Sequence, residues 1–352
     1  INVPGKILEK LINDESCVRW SIAENISTPK KLLTELASDA DDDILTSLAF
    51  NISTPASLLE ELSQHDNVDI RTAISENPKT SSSILDLLSN DDDEYIRANV
   101  AEHLNTPINC LEKLSDDDYE NVRANVAKNS KTPTNCLEIL SDDDNSDVRK
   151  EVAGNINTES SILAKLSEDN DEFVRKNVAD NPNTPSNCFS KLSEESDVWI
   201  LSNIARNLST PIEILNKLSD SKESHIRWSI AGNLNTPEST LEKLSKDKDP
   251  EVRLECSKNT NSSMQILEKL SKDKDADIAA LAHDLITFRK SKRKVCKDFK
   301  DFKSTNEWAN PNEVFDSNHE SLNQYLHPNE SIFGRWDGKV LIVGQDYAHE
   351  SL

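Results

Sequence analysis

One pattern recurs through this chain at a fixed interval of 26 residues. A Val or Ile stands at Val18, Ile44, Ile70, Ile96, Val122, Val148, Val174, Ile200, Ile226, Val252 and Ile278, and Arg follows at eight of these eleven positions. In the same phase come a second apolar residue four positions on (Ile22, Leu48, Ile74, Val100) and a small residue, usually Ala. An Asn follows (Asn25, Asn51, Asn77, Asn129, Asn155), then Thr-Pro (Thr28-Pro29, Thr210-Pro211) and paired leucines, from Leu33 and Leu36 to Leu267 and Leu270. Self-similarity at such a period restricts the chain to a stacked-repeat architecture. A unit this short buries too few side chains to offset the ordering of its own backbone, so neighbours must stack on both of its faces.

The spacing predicts two short helices per unit. Val252 and Cys256 are four apart and share a helix face. Asp249 and Pro250 suit the start of that helix, and Asn259, in the left-handed conformation, would end it. Thr then caps a second helix with Pro in its first turn, and the paired leucines supply its apolar face. Asp-rich stretches, such as residues 115–120, return the chain and set acids beside the positive start of the next helix. This phase divides residues 1–285 into a half repeat (1–17), ten repeats (18–277) and a degenerate cap (278–285).

The pattern VRxxVAxNxxTPxxxLxxL resembles that of the leucine-rich repeat variant family, over residues 1–285. The resemblance implies a right-handed superhelix of paired short helices, related to HEAT-like solenoids. The best-known member of that family carries an amino-terminal iron–sulfur module on clustered cysteines. Here Cys17, Cys110, Cys136, Cys188, Cys256 and Cys296 form no CxxC pair, so no metal and no cofactor are expected. Cys110, Cys136 and Cys188 share a repeat position held elsewhere by Ile or Leu, and Cys256 replaces a core Ile or Val. They read as small buried hydrophobes, with reduced thiols and a cytoplasmic setting.

Acids outnumber bases 64 to 40, for a formal charge of -24, which opposes general phosphate binding and fits solubility or a basic partner. The absence of an apolar run long enough for a membrane span points away from a membrane, and a monomer is expected. The repeated Arg (Arg19, Arg71, Arg97, Arg123, Arg149, Arg175, Arg227, Arg253) could track phosphates, but pairing with the Asp clusters of neighbouring loops is the stronger reading. Trp20 and Trp228 share one repeat position, and Asn99, Asn125, Asn177 and Asn203 share another that is expected to face solvent. These six form the candidate surface for a protein partner.

After residue 285 the pattern stops. The fold class is therefore read as an all-α solenoid of 26-residue two-helix repeats, a basic then mixed linker over 286–335, and the truncated start of an α/β domain over 336–352. The linker carries Lys290, Lys292, Arg293, Lys294 and Lys297, a candidate nucleic-acid contact, and its later part, 304–335, reads as loop and short helix. Val340 to Val343, between Gly338 and Gly344, reads as a buried strand. The carboxyl end of such a strand often faces a ligand crevice.

The stretch VLIVGQDYAH resembles the first motif of the uracil-DNA glycosylase superfamily. Gly344, Gln345, Asp346 and His349 match by position. The resemblance implies that Asp346 is catalytic, positioning or activating water at the sugar carbon, and that Gly344, Gln345 and His349 belong to the base-binding side. The motif has Pro and Tyr where this chain has Tyr347 and Ala348. Its second motif, with the leaving-group His, is absent, so no complete active site is present. With Ile first and Met264 as its single Met, the chain reads as a fragment of a longer protein. The expected function is a non-catalytic scaffold for protein–protein interaction. The alternative is the targeting arm of a nucleic-acid repair enzyme whose glycosylase-like domain begins at the carboxyl end. A third idea, that the solenoid acts on DNA itself as HEAT-like alkylpurine glycosylases do, is opposed by the acidic balance.

Overall fold

The structure, a computed structural model, describes residues 5–38, 41–303, 330–336 and 339–344. The chain divides into two compact units, Ile1–Thr236 and Pro237–Leu352. Both are helical-repeat solenoids in their described helices.

In the first unit, nine-residue helices alternate with shorter ones of mostly seven residues. Glu94–Glu102 is followed by Ile108–Leu114, then Glu120–Lys128 by Thr134–Leu140. Each long helix packs against the long helices of the repeats before and after it, whereas the short helices make their main contacts with the long ones. The long helices therefore form the tighter layer. Between the two layers runs an unbroken apolar seam. In one repeat it consists of Val148, Val152, Ala153, Leu163 and Leu166, all buried. Helix periodicity alone puts these positions on facing stripes.

The second unit contains Glu238–Leu244, Pro250–Lys258 and Met264–Leu270, then a 28-residue helix, Ala276–Lys303. That helix runs straight through the basic stretch that the sequence reading gives to a linker. Further on, Glu330–Trp336 pairs antiparallel with Lys339–Gly344, with Glu330 opposite Gly344 and Ile332 opposite Ile342. The register is interrupted between Ile332 and Arg335. The strand expected at Val340 to Val343 is present. The expectation of loop and helix up to residue 335 is corrected, because residues 330–335 are extended.

Two local expectations are also corrected. Asn155 does not adopt the left-handed conformation. It is extended, with φ -71° and ψ 127°, and its equivalents agree. Nor does Thr cap the second helix. Pro107, Pro133 and Pro211 occupy the cap position themselves. Thr158 turns inward instead, and its Oγ1 donates to the Val152 carbonyl at 2.6 Å, closing the end of the preceding helix.

Cys110, Cys136, Cys188 and Cys256 are buried, as the repeat phase predicts, and Cys17 is exposed. Burial pushes the Cys110 thiol up to about 11, with Asp86 adding to it, and the Cys256 thiol up to about 12. Thiolate, not thiol, reacts with alkylating agents. Brief iodoacetamide treatment of the folded chain should therefore modify Cys17 and spare Cys110 and Cys256. Peptide mass mapping, before and after urea, checks this.

Candidate interaction surface

Surface residues can bind a partner only if the fold does not already use them. The repeated Arg is used. Arg123 holds both carboxylate oxygens of Asp143 through Nε and Nη2, at 2.6 and 3.0 Å. Its Nη1 donates to the carbonyls of Asp117 and Asp118, at 2.7 and 3.1 Å. The same fork joins Arg71 to Asp91, Arg97 to Asp117, Arg149 to Asp169, Arg175 to Glu195 and Arg253 to Asp273. Each guanidinium ties the turn before its helix to the turn that closes its repeat. Arg227 donates Nη1 to the Ser221 and Lys222 carbonyls, and Arg19 donates to the Asp14 carbonyl. The row is structural, as the pairing reading expects.

Burial by itself would raise the carboxyls of Asp91, Asp117, Asp143 and Asp169. The bond from each one's Arg, a backbone N–H and the neighbouring guanidinium charges outweigh it, and all four lie below the ordinary value of 3.8. Asp273 is lowered chiefly by its bond to Arg253. A folded pKa below the unfolded one stabilises above the unfolded value and loses that contribution as pH falls through the folded one. Urea midpoints should therefore hold between pH 7 and 5 and drop steeply below about pH 4. Chemical denaturation at pH 7, 5 and 3 tests this.

The repeated Asn is used as well. Asn155 donates from Nδ2 to the carbonyls of Ala127 (2.6 Å) and Asn129 (3.0 Å) in the preceding repeat, and its Oδ1 accepts from the Asn157 amide. Asn51, Asn77, Asn129, Asn181, Asn207 and Asn233 do the same. His103 replaces Asn in this row. Its Nε2 meets the Asn77 carbonyl at 3.0 Å and its Nδ1 accepts from the Asn105 amide. That pair of contacts assigns the Nε2–H tautomer.

The second Asn row does not face solvent as expected. Asn99 is half-buried and donates to Ser75 Oγ and Glu76 Oε1. Asn125, Asn177 and Asn203 donate to the carbonyls of Ala98, Lys150 and Lys176 in the repeat before. Their amides join repeats.

The tryptophans differ. Trp20 and Trp228 are exposed on their helices. Phe173 and Trp199, 56% and 63% exposed, stand in successive repeats immediately before the repeated Val or Ile. Trp228, 39% exposed, lies one repeat further on. Its repeat position is three residues from theirs, on the same helix face. Lys176 places its Nζ 5.0 Å from the Trp199 ring centre. Along the Trp199 and Trp228 helices acids disappear. In a chain that is 30% charged, Val198–Arg206 and Ser224–Gly232 contain no acid, and their cations are Arg206 and Arg227, besides His225. Arg206 donates to Asn203 Oδ1, and Arg227 is buried. At Leu201 the repeated Arg is lost.

A second exposed apolar row runs along the repeats. Ile26, Ile52, Leu104, Ile156, Leu208 and Leu234 occupy one repeat position, just after the Asn row, and all are exposed. Reading that column of the repeat would have found them.

Of the other candidates, Lys290 is exposed on Ala276–Lys303. Lys292, Arg293, Lys294 and Lys297 lie on the same helix, with side chains outside the described residues, and Gly344 ends its strand. Gln345, Asp346 and His349 lie outside the described residues. Among the described residues no group of three or more His, Cys, Asp or Glu could hold a metal, and no helix is long and apolar enough to cross a membrane.

No family model and no curated protein matches the chain. Among solved structures it is similar to a leucine-rich repeat variant with a novel repetitive structural motif, at 21% identity and a TM-score of 0.40, over 70% of this chain and 87% of that one. It is also similar to an engineered protein, at 18% identity and a TM-score of 0.32, over 79% of this chain and 97% of that one. The solenoid assignment rests on the helix pairs and hydrogen-bonded rows of this chain itself.

Proposed function

We propose that this chain is a non-catalytic repeat scaffold that binds a protein partner on its long-helix layer, around Phe173, Trp199 and Trp228. The observation that carries this reading is an exposed aromatic row, two of whose helices carry no acid, on a chain whose repeated polar residues hold the fold together. Exposed aromatics in such a setting are the usual anchors of protein interfaces. The scaffold acts as a monomer in a reducing, cytoplasmic setting, which suits its buried thiols. A photo-crosslinking residue placed at position 199 should capture a partner protein from source-cell extract. The same residue at position 139, exposed on a short helix, should capture none. Equal capture at both positions, or none at 199, would sink the reading.

A second reading keeps the chain as the targeting arm of a nucleic-acid repair enzyme. It is favoured by the continuous helix that carries Lys290, Lys292, Arg293, Lys294 and Lys297. Helix-borne cations release counterions on binding phosphates, so affinity should fall steeply with salt. Single-stranded DNA binding should then be measurable at 50 mM salt and lost in Lys290→Glu/Lys294→Glu. Absence of binding at low salt excludes it.

A further inference from the structure

We infer that the segment captured by the Phe173–Trp199–Trp228 patch is basic and rich in arginine. This rests on the scaffold reading above and names its partner's chemistry.

Two independent observations converge on it. The first is charge. The turns leading into the three helices, with the helix starts, carry Glu168, Asp169, Asp171, Glu172, Glu194, Glu195, Asp197, Asp220 and Glu223, against the single cation Lys222. Some of these serve the fold: Asp169 and Glu195 are held by Arg149 and Arg175, and Asp171 and Asp197 cap helices. Glu172, next to Phe173 in the chain, and Glu194 and Glu223, in the turns that lead into the Trp199 and Trp228 helices, are exposed. An acidic partner is repelled here, and a neutral one leaves the carboxylates unmatched.

The second observation is the rings. A cation is drawn to an aromatic face, and this chain already shows it, with the Lys176 ammonium over Trp199 and the Arg97 guanidinium 5.5 Å from the Tyr119 ring centre. Exposed rings flanked by carboxylates offer a guanidinium both a face to stack on and an oxygen pair to bind. Lys176 is then a placeholder that an incoming Arg displaces.

The test uses the full chain and a fluorescein-labelled peptide of alternating Gly and Arg, followed by anisotropy. Its citrulline counterpart, isosteric and neutral, should not bind. Trp199→Ala/Trp228→Ala should weaken the Arg peptide about tenfold, and Trp199→Phe/Trp228→Phe should restore most of it. Glu60→Gln/Glu61→Gln, which removes two exposed charges from a short helix, should change affinity less than about threefold. If that control costs as much as the aromatic pair, or if citrulline binds equally, the inference fails. Sequencing the segment crosslinked at position 199 separates it from the scaffold reading. A neutral or acidic segment overturns the basic preference and leaves the scaffold standing. Absence of any crosslinked protein removes the scaffold reading, and the peptide comparison still decides the preference for arginine.

Discussion

Asn155→Ala is expected to lower the unfolding free energy by about 2–4 kcal/mol. The side chain is buried and makes three hydrogen bonds, two of them to carbonyls of the preceding repeat. Alanine leaves the Ala127 carbonyl, at the buried end of its helix, without that partner, while the Asn129 carbonyl keeps only the Thr132 amide, and an unmet buried polar group costs far more than a made bond contributes. Asn157→Ala is the internal comparison. Its amide also reaches back a repeat, to the Ser130 carbonyl, but at an exposed site, where water can replace it. Its cost should stay below about 1 kcal/mol. Urea titration of the two variants decides the matter, and equal costs would mean that the inner row is not what joins the repeats.

Arg123→Leu should cost about 3 kcal/mol. It strands the Asp143 carboxylate, mostly buried, with one backbone N–H and the more distant Arg149 charge to hold it. Removing the acid as well, in Arg123→Leu/Asp143→Ser, should bring stability back to within about 1 kcal/mol of the original, because a buried pair broken on one side is worse than no pair. The chain already carries this experiment. Leu201 replaces the repeated Arg, and 20 residues on stands Ser221 instead of an acid. Leu45 is matched by His65 in the same way. A double variant as unstable as the single one would show that the guanidinium contributes through its carbonyl contacts rather than through the carboxylate.

That covariation within one sequence shows how much could be read without coordinates. The repeat phase, the helix pairs and the buried columns were all legible, because burial at helical spacing is a local signal. The Arg–acid pairing was legible at its 20-residue offset. The role of Asn155 was not. Seen within a single unit it resembles a helix terminator, and its true partners, Ala127 and Asn129, lie 28 and 26 residues back. Asn99 and Asn203 misled for the same reason, since a polar residue on a helix looks solvated until the neighbouring helix is placed. The basic stretch looked like a linker by charge, although Lys and Arg favour helix. For the surface, the tryptophans are visible in the sequence, whereas Phe173 stands out only by its exposure.

Every rung of the inner Asn row points the same way, from a repeat to the one before it, so each new unit completes its predecessor and leaves its own carbonyls for the next. In the second unit Arg289 takes one of them, the Asn259 carbonyl, and donates to the neighbouring carbonyls of Thr260 and Ser262 as well. The array is thus assembled like a sentence in which each word needs only the previous one, with Arg289 as its full stop. During synthesis the units can lock in order as they leave the ribosome. In a genome, tandem duplication of one unit lengthens the protein without redesign, provided that the copy falls upstream of that arginine.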